Sequence, residues 1–175
     1  MAKSSKQEIE RDEKKVILEL MKDSNQSINI ISNKLGFSRQ KVWRIVKKLQ
    51  KEKTIWGYTA IVNSEKLGMN NFILLGKRTT KPVTKDMLEP IIKKHFEKLA
   101  KNNNCILEDT HYLNGEYDFI SIFKAKNLQD AKKFQEEFNN MYQGFIQKTK
   151  LLEVLFSVRE NGIFNPNVEK FLEYF

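Results

Sequence analysis

The chain has 175 residues, 40% hydrophobic and 30% charged, with a net charge of +9. That balance belongs to a folded globular chain, and a single cysteine, Cys105, excludes an intrachain disulfide framework. No apolar run approaches the roughly 20 residues needed to span a bilayer, and the polar start MAKSSKQEIERDEKK lacks the core of a secretory signal, so the expected location is cytoplasmic.

The first expected element is an amphipathic helix over 10–22, because Val16, Ile17, Leu20 and Met21 recur at helical spacing. Asp23-Ser24-Asn25 breaks it. Ser27 is placed to cap a second helix with apolar positions Ile28, Ile30, Ile31 and Leu35, and Gly36 follows where a helix end favours a left-handed residue. Ser38 then caps a third helix in which Val42, Ile45, Val46 and Leu49 form one buried stripe.

Two short helices separated by a Gly-containing turn make a helix-turn-helix. The second of them is strongly basic. Of the +9 net charge, +7 lies in residues 1–63, with 14 basic residues against 7 acidic, and residues 38–53 alone hold seven basic residues and one acid. Such a helix is either a solvated lysine-rich face or the footprint of double-stranded DNA. In the second reading Ser38, Arg39, Gln40, Lys41 and Arg44 sit at the end that meets base edges, where Arg suits guanine and Gln suits adenine. Lys47, Lys48 and Lys51 lie further along and suit phosphate. Trp43 either packs at the helix edge or lies against DNA sugar.

The run Leu35-Gly36-Phe37-Ser38, then Val42, Arg44, Val46, Leu49, Ile55, Gly57-Tyr58, Ala60 and Leu67-Gly68 resembles the Lrp/AsnC (feast/famine) family of transcription regulators. In that family the Ile-x-Gly-Tyr-x-Ala segment is a hinge strand that also pairs across a homodimer. The chain departs from the pattern at Ile45, where the family usually has a basic residue, and at Lys53, where it usually has Gly.

From Asn71 the rhythm changes. Strands are expected over 72–80, 105–113, 117–125 and 145–158, with helices from Pro90 to about Lys101 and over 128–142. Asn114-Gly115 is expected to make a tight hairpin with positive φ at both central positions. The order βαββαβ is the ferredoxin-like pattern. The expected class is therefore α+β: a winged-type three-helix head (1–53), a hinge strand and linker (54–70), a ferredoxin-like sensing and assembly domain (71–158) and a tail with a short helix (159–175).

The resemblance extends to Gly115-x-x-Asp118 with Tyr117 between, the place where family dimers meet and a small effector binds. Thr149, flanked by Lys148 and Lys150, stands where family members commonly carry two threonines. Gly115, Tyr117, Asp118 and Thr149 are thus the effector candidates. Equally open is a reading in which Gly115 serves only the turn and Asp118 is a structural carboxylate.

No zinc spacing, phosphate loop or nucleophile elbow occurs, so no catalytic residue, metal or cofactor is expected. Glu108 and Asp109 are adjacent on a strand and point to opposite faces. His95 and His111 are the only histidines. The resulting expectation is a sequence-specific regulator working on double-stranded DNA as a homodimer or a higher oligomer of dimers, responsive to an amino acid or other small metabolite. A low-specificity architectural DNA binder is the alternative. An enzyme like the haem-pathway decarboxylases that resemble this family is a third.

Overall fold

The computed structural model describes residues 5–175, so the first four residues of the expected head lie outside the described residues. The chain divides into two compact units. One holds residues up to Ile61 together with Arg159–Val168, and the other holds Val62–Val158 with Glu169–Phe175.

In the first unit, α1 (Lys6–Lys22), α2 (Ile28–Leu35) and α3 (Arg39–Lys51) form the three-helix head. Each helix starts on a serine, Ser5, Ser27 or Ser38, whose side-chain oxygen accepts a backbone N–H from the first turn. Val16, Ile31, Val42, Ile45 and Leu49 close the core, with Leu35, Phe37 and Ile55 packed around it. Helix α3 ends in a Schellman motif. The Thr54 N–H reaches Leu49 O at 2.9 Å and the Lys53 N–H reaches Gln50 O at 3.2 Å, with Lys53 itself at φ +57°. Lys53 thus occupies the left-handed position that the family usually gives to glycine.

The expected hinge strand forms no strand: residues 55–63 have no ladder partner among the described residues. A β-ladder needs a second strand, and the three helices of this head supply none. The same unit contains a short hairpin, β5 (Arg159–Glu160) with β6 (Ile163–Phe164), that the sequence reading did not anticipate.

The second unit is a four-stranded antiparallel sheet in the order β2-β3-β1-β4, built from β1 (Asn70–Arg78), β2 (Ile106–Tyr112), β3 (Phe119–Ala125) and β4 (Ile146–Val154). Helices α5 (His95–Asn102) and α6 (Leu128–Met141) cover one face. Phe72, Leu74, Phe119 and Phe123 meet Phe96, Leu99, Phe134 and Phe138 there, and each fully buried side chain of this size stabilises by about 1.5–3 kcal/mol. On the other face Ile73 lies between Ile122 and Leu152, and Leu75 lies beside Ile120; all five are half-buried. This arrangement is the α+β ferredoxin-like fold expected from the βαββαβ order.

Three local expectations are corrected. The single helix from Pro90 is two helices, α4 (Lys85–Ile92) and α5, with Lys94 left-handed between them at φ +54°. Pro90 sits late in α4, because Thr84 starts that helix earlier than the proline suggests. The tight Asn-Gly turn is absent: neither Asn114 nor Gly115 has positive φ. A wider loop is closed instead by the Leu113 N–H bonded to Asp118 O at 2.7 Å. The last strand stops at Val154. The expected short tail helix forms as a 3₁₀ helix, Val168–Tyr174, whose Phe171 and Tyr174 pack on Phe156.

Candidate nucleic-acid interface

The turn that presents α3 is fixed locally. Gly36 takes φ +65°, and the Ser38 hydroxyl accepts the Lys41 N–H at 3.2 Å. The buried stripe Val42, Ile45 and Leu49 faces Val16 and Ile31. Rotation about the helix then decides the rest: Arg39, Gln40, Trp43, Arg44, Lys47 and Lys48 are exposed. The side chains of Arg39, Gln40 and Lys47 have no polar partner among the described residues, and Arg44 Nε only grazes its own helix at Gln40 O, 3.4 Å away. Trp43 is 54% exposed, so its ring is largely free of the core.

Two residues placed on this surface by the sequence are held otherwise. Lys41 Nζ lies 2.6 Å from Asp12 Oδ2 and 4.2 Å from the centre of the Phe37 ring. Lys48 Nζ lies 2.6 Å from Glu13 Oε1, which holds the ammonium above the ordinary lysine range. Both acids come from α1, and with Ile9, Arg44 and Ile45 the two pairs line a cleft of about 210 Å³ between α1 and α3. The helical wheel of α3 could not reveal these pairs, because their partners lie 29 and 35 residues earlier in the chain. On the same head Glu19 binds Lys22 at 2.5 Å and Lys34 at 3.5 Å, and the Lys22 hydrogen bond keeps its carboxyl below the ordinary range.

The effector candidates in the second unit are largely occupied by their own fold. Asp118 Oδ2 accepts the Arg78 N–H at 2.7 Å, the Asp118 N–H donates to Gly76 O at 2.9 Å, and Arg78 Nε stands 3.4 Å from Asp118 Oδ1. Thr149 Oγ1 sits between Gln135 Nε2 at 2.9 Å and Asn139 Oδ1 at 3.0 Å, both on α6. Tyr117 has the Lys148 ammonium 5.8 Å from its ring centre, and Gly115 is exposed. Asp118 and Thr149 therefore tie β1 and β4 to their neighbours. Glu108 is likewise held within the fold, bound to the buried Lys124 at 2.6 Å. No group of metal-binding side chains occurs among the described residues.

The geometry agrees with comparison to known proteins. Residues 13–55 match the winged helix-turn-helix DNA-binding family. An uncharacterised HTH-type transcriptional regulator of Pyrococcus abyssi is 30% identical over 154 residues, spanning 88% of this chain and 97% of the relative. The HTH-type transcriptional regulator LrpA of Pyrococcus horikoshii is 29% identical over 122 residues, 69% of this chain and 78% of its own. The chain belongs to the Lrp/AsnC family of transcription regulators. Its fold is shared with the feast or famine regulatory protein of M. tuberculosis complexed with L-methionine, at TM-score 0.63 and 17% identity over 84% of this chain and 92% of that one. As an Lrp/AsnC regulator it binds DNA through the helix-turn-helix head. Both relatives carry the name of HTH-type transcriptional regulators, and neither name supports the architectural or the haem-pathway reading. No helix among the described residues is long and apolar enough to cross a membrane.

Proposed function

We propose that the chain is a sequence-specific, cytoplasmic regulator in which Arg39, Gln40 and Arg44 read base edges in the major groove while Lys47 meets phosphate. The observation that carries this reading is the unpartnered state of Arg39 and Gln40, among the described residues, in the first turn of a helix whose opposite stripe packs into the core. Ser38 is committed to the cap, so its part is to hold α3 at the right angle. Trp43 stands exposed beside Arg39 and Arg44 and is suited to sugar contact. In a homodimer two such helices enter successive major grooves about 34 Å apart.

Homodimerisation is supported by the sheet face that α5 and α6 leave uncovered, where Ile73, Leu75, Ile120, Ile122 and Leu152 remain half-buried. The unpaired segment 55–63 offers a second partner its backbone. Residues 71–158 would thus assemble the regulator that residues 1–53 aim at DNA, and pairs of dimers would build any larger assembly. An amino-acid effector is supported by the methionine-bound relative of the same fold. Because Asp118 and Thr149 are bound within their own chain, an effector pocket at the 113–118 loop needs groups from a neighbouring chain.

The test is Arg39→Ala and Arg44→Ala. Each bidentate base contact is worth about 1–3 kcal/mol of discrimination, so the ratio of specific to random-duplex affinity falls roughly 5- to 150-fold. Fragments selected from random DNA supply the specific duplex. An unchanged ratio removes these arginines from base reading.

A further inference from the structure

The stretch from Ser38 to Lys53 carries seven cations, yet two are already matched inside the head. The acids are the more deeply set partners. The side chains of Asp12 and Glu13 keep 8% and 14% of their accessibility, against 39% and 46% for Lys41 and Lys48. Asp12 and Glu13 lie on a packed helix and cannot follow a lysine that turns away. A lysine leaving for a phosphate would leave its carboxylate in the cleft between α1 and α3 without its counter-charge, which costs the ion pair.

From this geometry we infer that Asp12 and Glu13 are specificity-determining residues: they hold Lys41 and Lys48 in cis and so limit sequence-independent DNA binding. Random-duplex affinity is built almost entirely from neutralised phosphates. A head bound without base contacts is free to shift and use every available cation. A head docked by Arg39, Gln40 and Arg44 is fixed in register and gains less from freed lysines. Two acids on α1 therefore raise the ratio of specific to random binding without touching a base. The inference rests on the DNA-reading assignment above.

The experiment is the salt dependence of full-length protein binding to random-sequence duplex and to a duplex it selects. In the double variant Asp12→Asn with Glu13→Gln, the log–log slope on random duplex steepens by about 0.9 per freed lysine, about 1.8 per bound head. At about 0.1 M salt that corresponds to up to roughly 60-fold tighter random binding, with a smaller gain on the selected duplex. Adding Lys41→Met and Lys48→Met removes the steepening. Glu13→Gln alone, at the less buried acid, gives half of it and serves if the Asp12→Asn change unfolds the head. An unchanged slope, or equal steepening on both duplexes, overturns the inference. Failure of the DNA-reading assignment shows separately, as an unaltered preference in Arg44→Ala.

Discussion

Gly76 lies in the middle of β1, paired with Phe119 on one side and Thr149 on the other. A methyl group built there falls among the Cε1, Cζ and Cδ1 atoms of the Phe119 ring. Ordinary carbon contact is about 3.5 Å, so in Gly76→Ala the ring has to retreat by about 2 Å. It has little room, because Phe119 is buried and its ring centre is 5.0 Å from that of Phe138. Overpacking costs about 1–3 kcal/mol, and a disturbed aromatic pair adds about 0.5–1.5 kcal/mol. The unfolded chain loses freedom when glycine becomes alanine, which returns about 0.4–1 kcal/mol. The net expectation is a loss of about 2–3 kcal/mol, read from urea unfolding at fixed protein concentration. Valine at position 119 has none of the three obstructing atoms. In a Phe119→Val background the same Gly76→Ala change becomes neutral or slightly stabilising, a double-mutant coupling of about 2 kcal/mol or more. Equal losses in the two backgrounds would refute the steric account and leave Gly76 with a backbone role only.

Lys53→Gly should stabilise the head by about 0.5–1 kcal/mol, since Lys53 holds φ +57° at the end of α3 and glycine adopts that region freely; thermal unfolding measures it. Glu19 has a folded pKa below its ordinary 4.5, so its contribution is present above about pH 4.5 and is lost as pH falls through the folded value. Glu19→Gln therefore narrows the stability difference between pH 7 and acid, which paired urea midpoints would show. Burial pushes the Cys105 thiol up to about 11, so at pH 8 a thiol reagent should modify the native protein far more slowly than the urea-unfolded chain. Comparable rates would place Cys105 outside the core.

The head was legible because its signals are local. Ser27, Gly36 and Ser38 satisfy or relax backbone groups within a few residues of themselves, and the Val42–Leu49 stripe follows from helix geometry alone. Strand order was legible at the level of βαββαβ, since each amphipathic run announces its own period. Its edges and turns were not. Pro90 fits either end of a helix by φ alone, and the position of Thr84 placed it late in α4. Asn114-Gly115 suits a tight turn, but the Leu113–Asp118 bond and the hold of Arg78 on Asp118 draw the chain into a wider loop.

By itself, then, the order of residues determined where α2 and α3 start, which stripe they bury, and that α3 is cationic. Only three-dimensional packing decided which of those cations are free. Arg39 and Lys47 stay unpaired while Lys41 and Lys48 meet Asp12 and Glu13, because helix α1 crosses α3 on one side only. The same holds for Thr149 and Asp118, whose partners come from other strands and from α6. Charge and capping act over a few residues, but pairing depends on distance in space, and that distance exists only once the chain has folded.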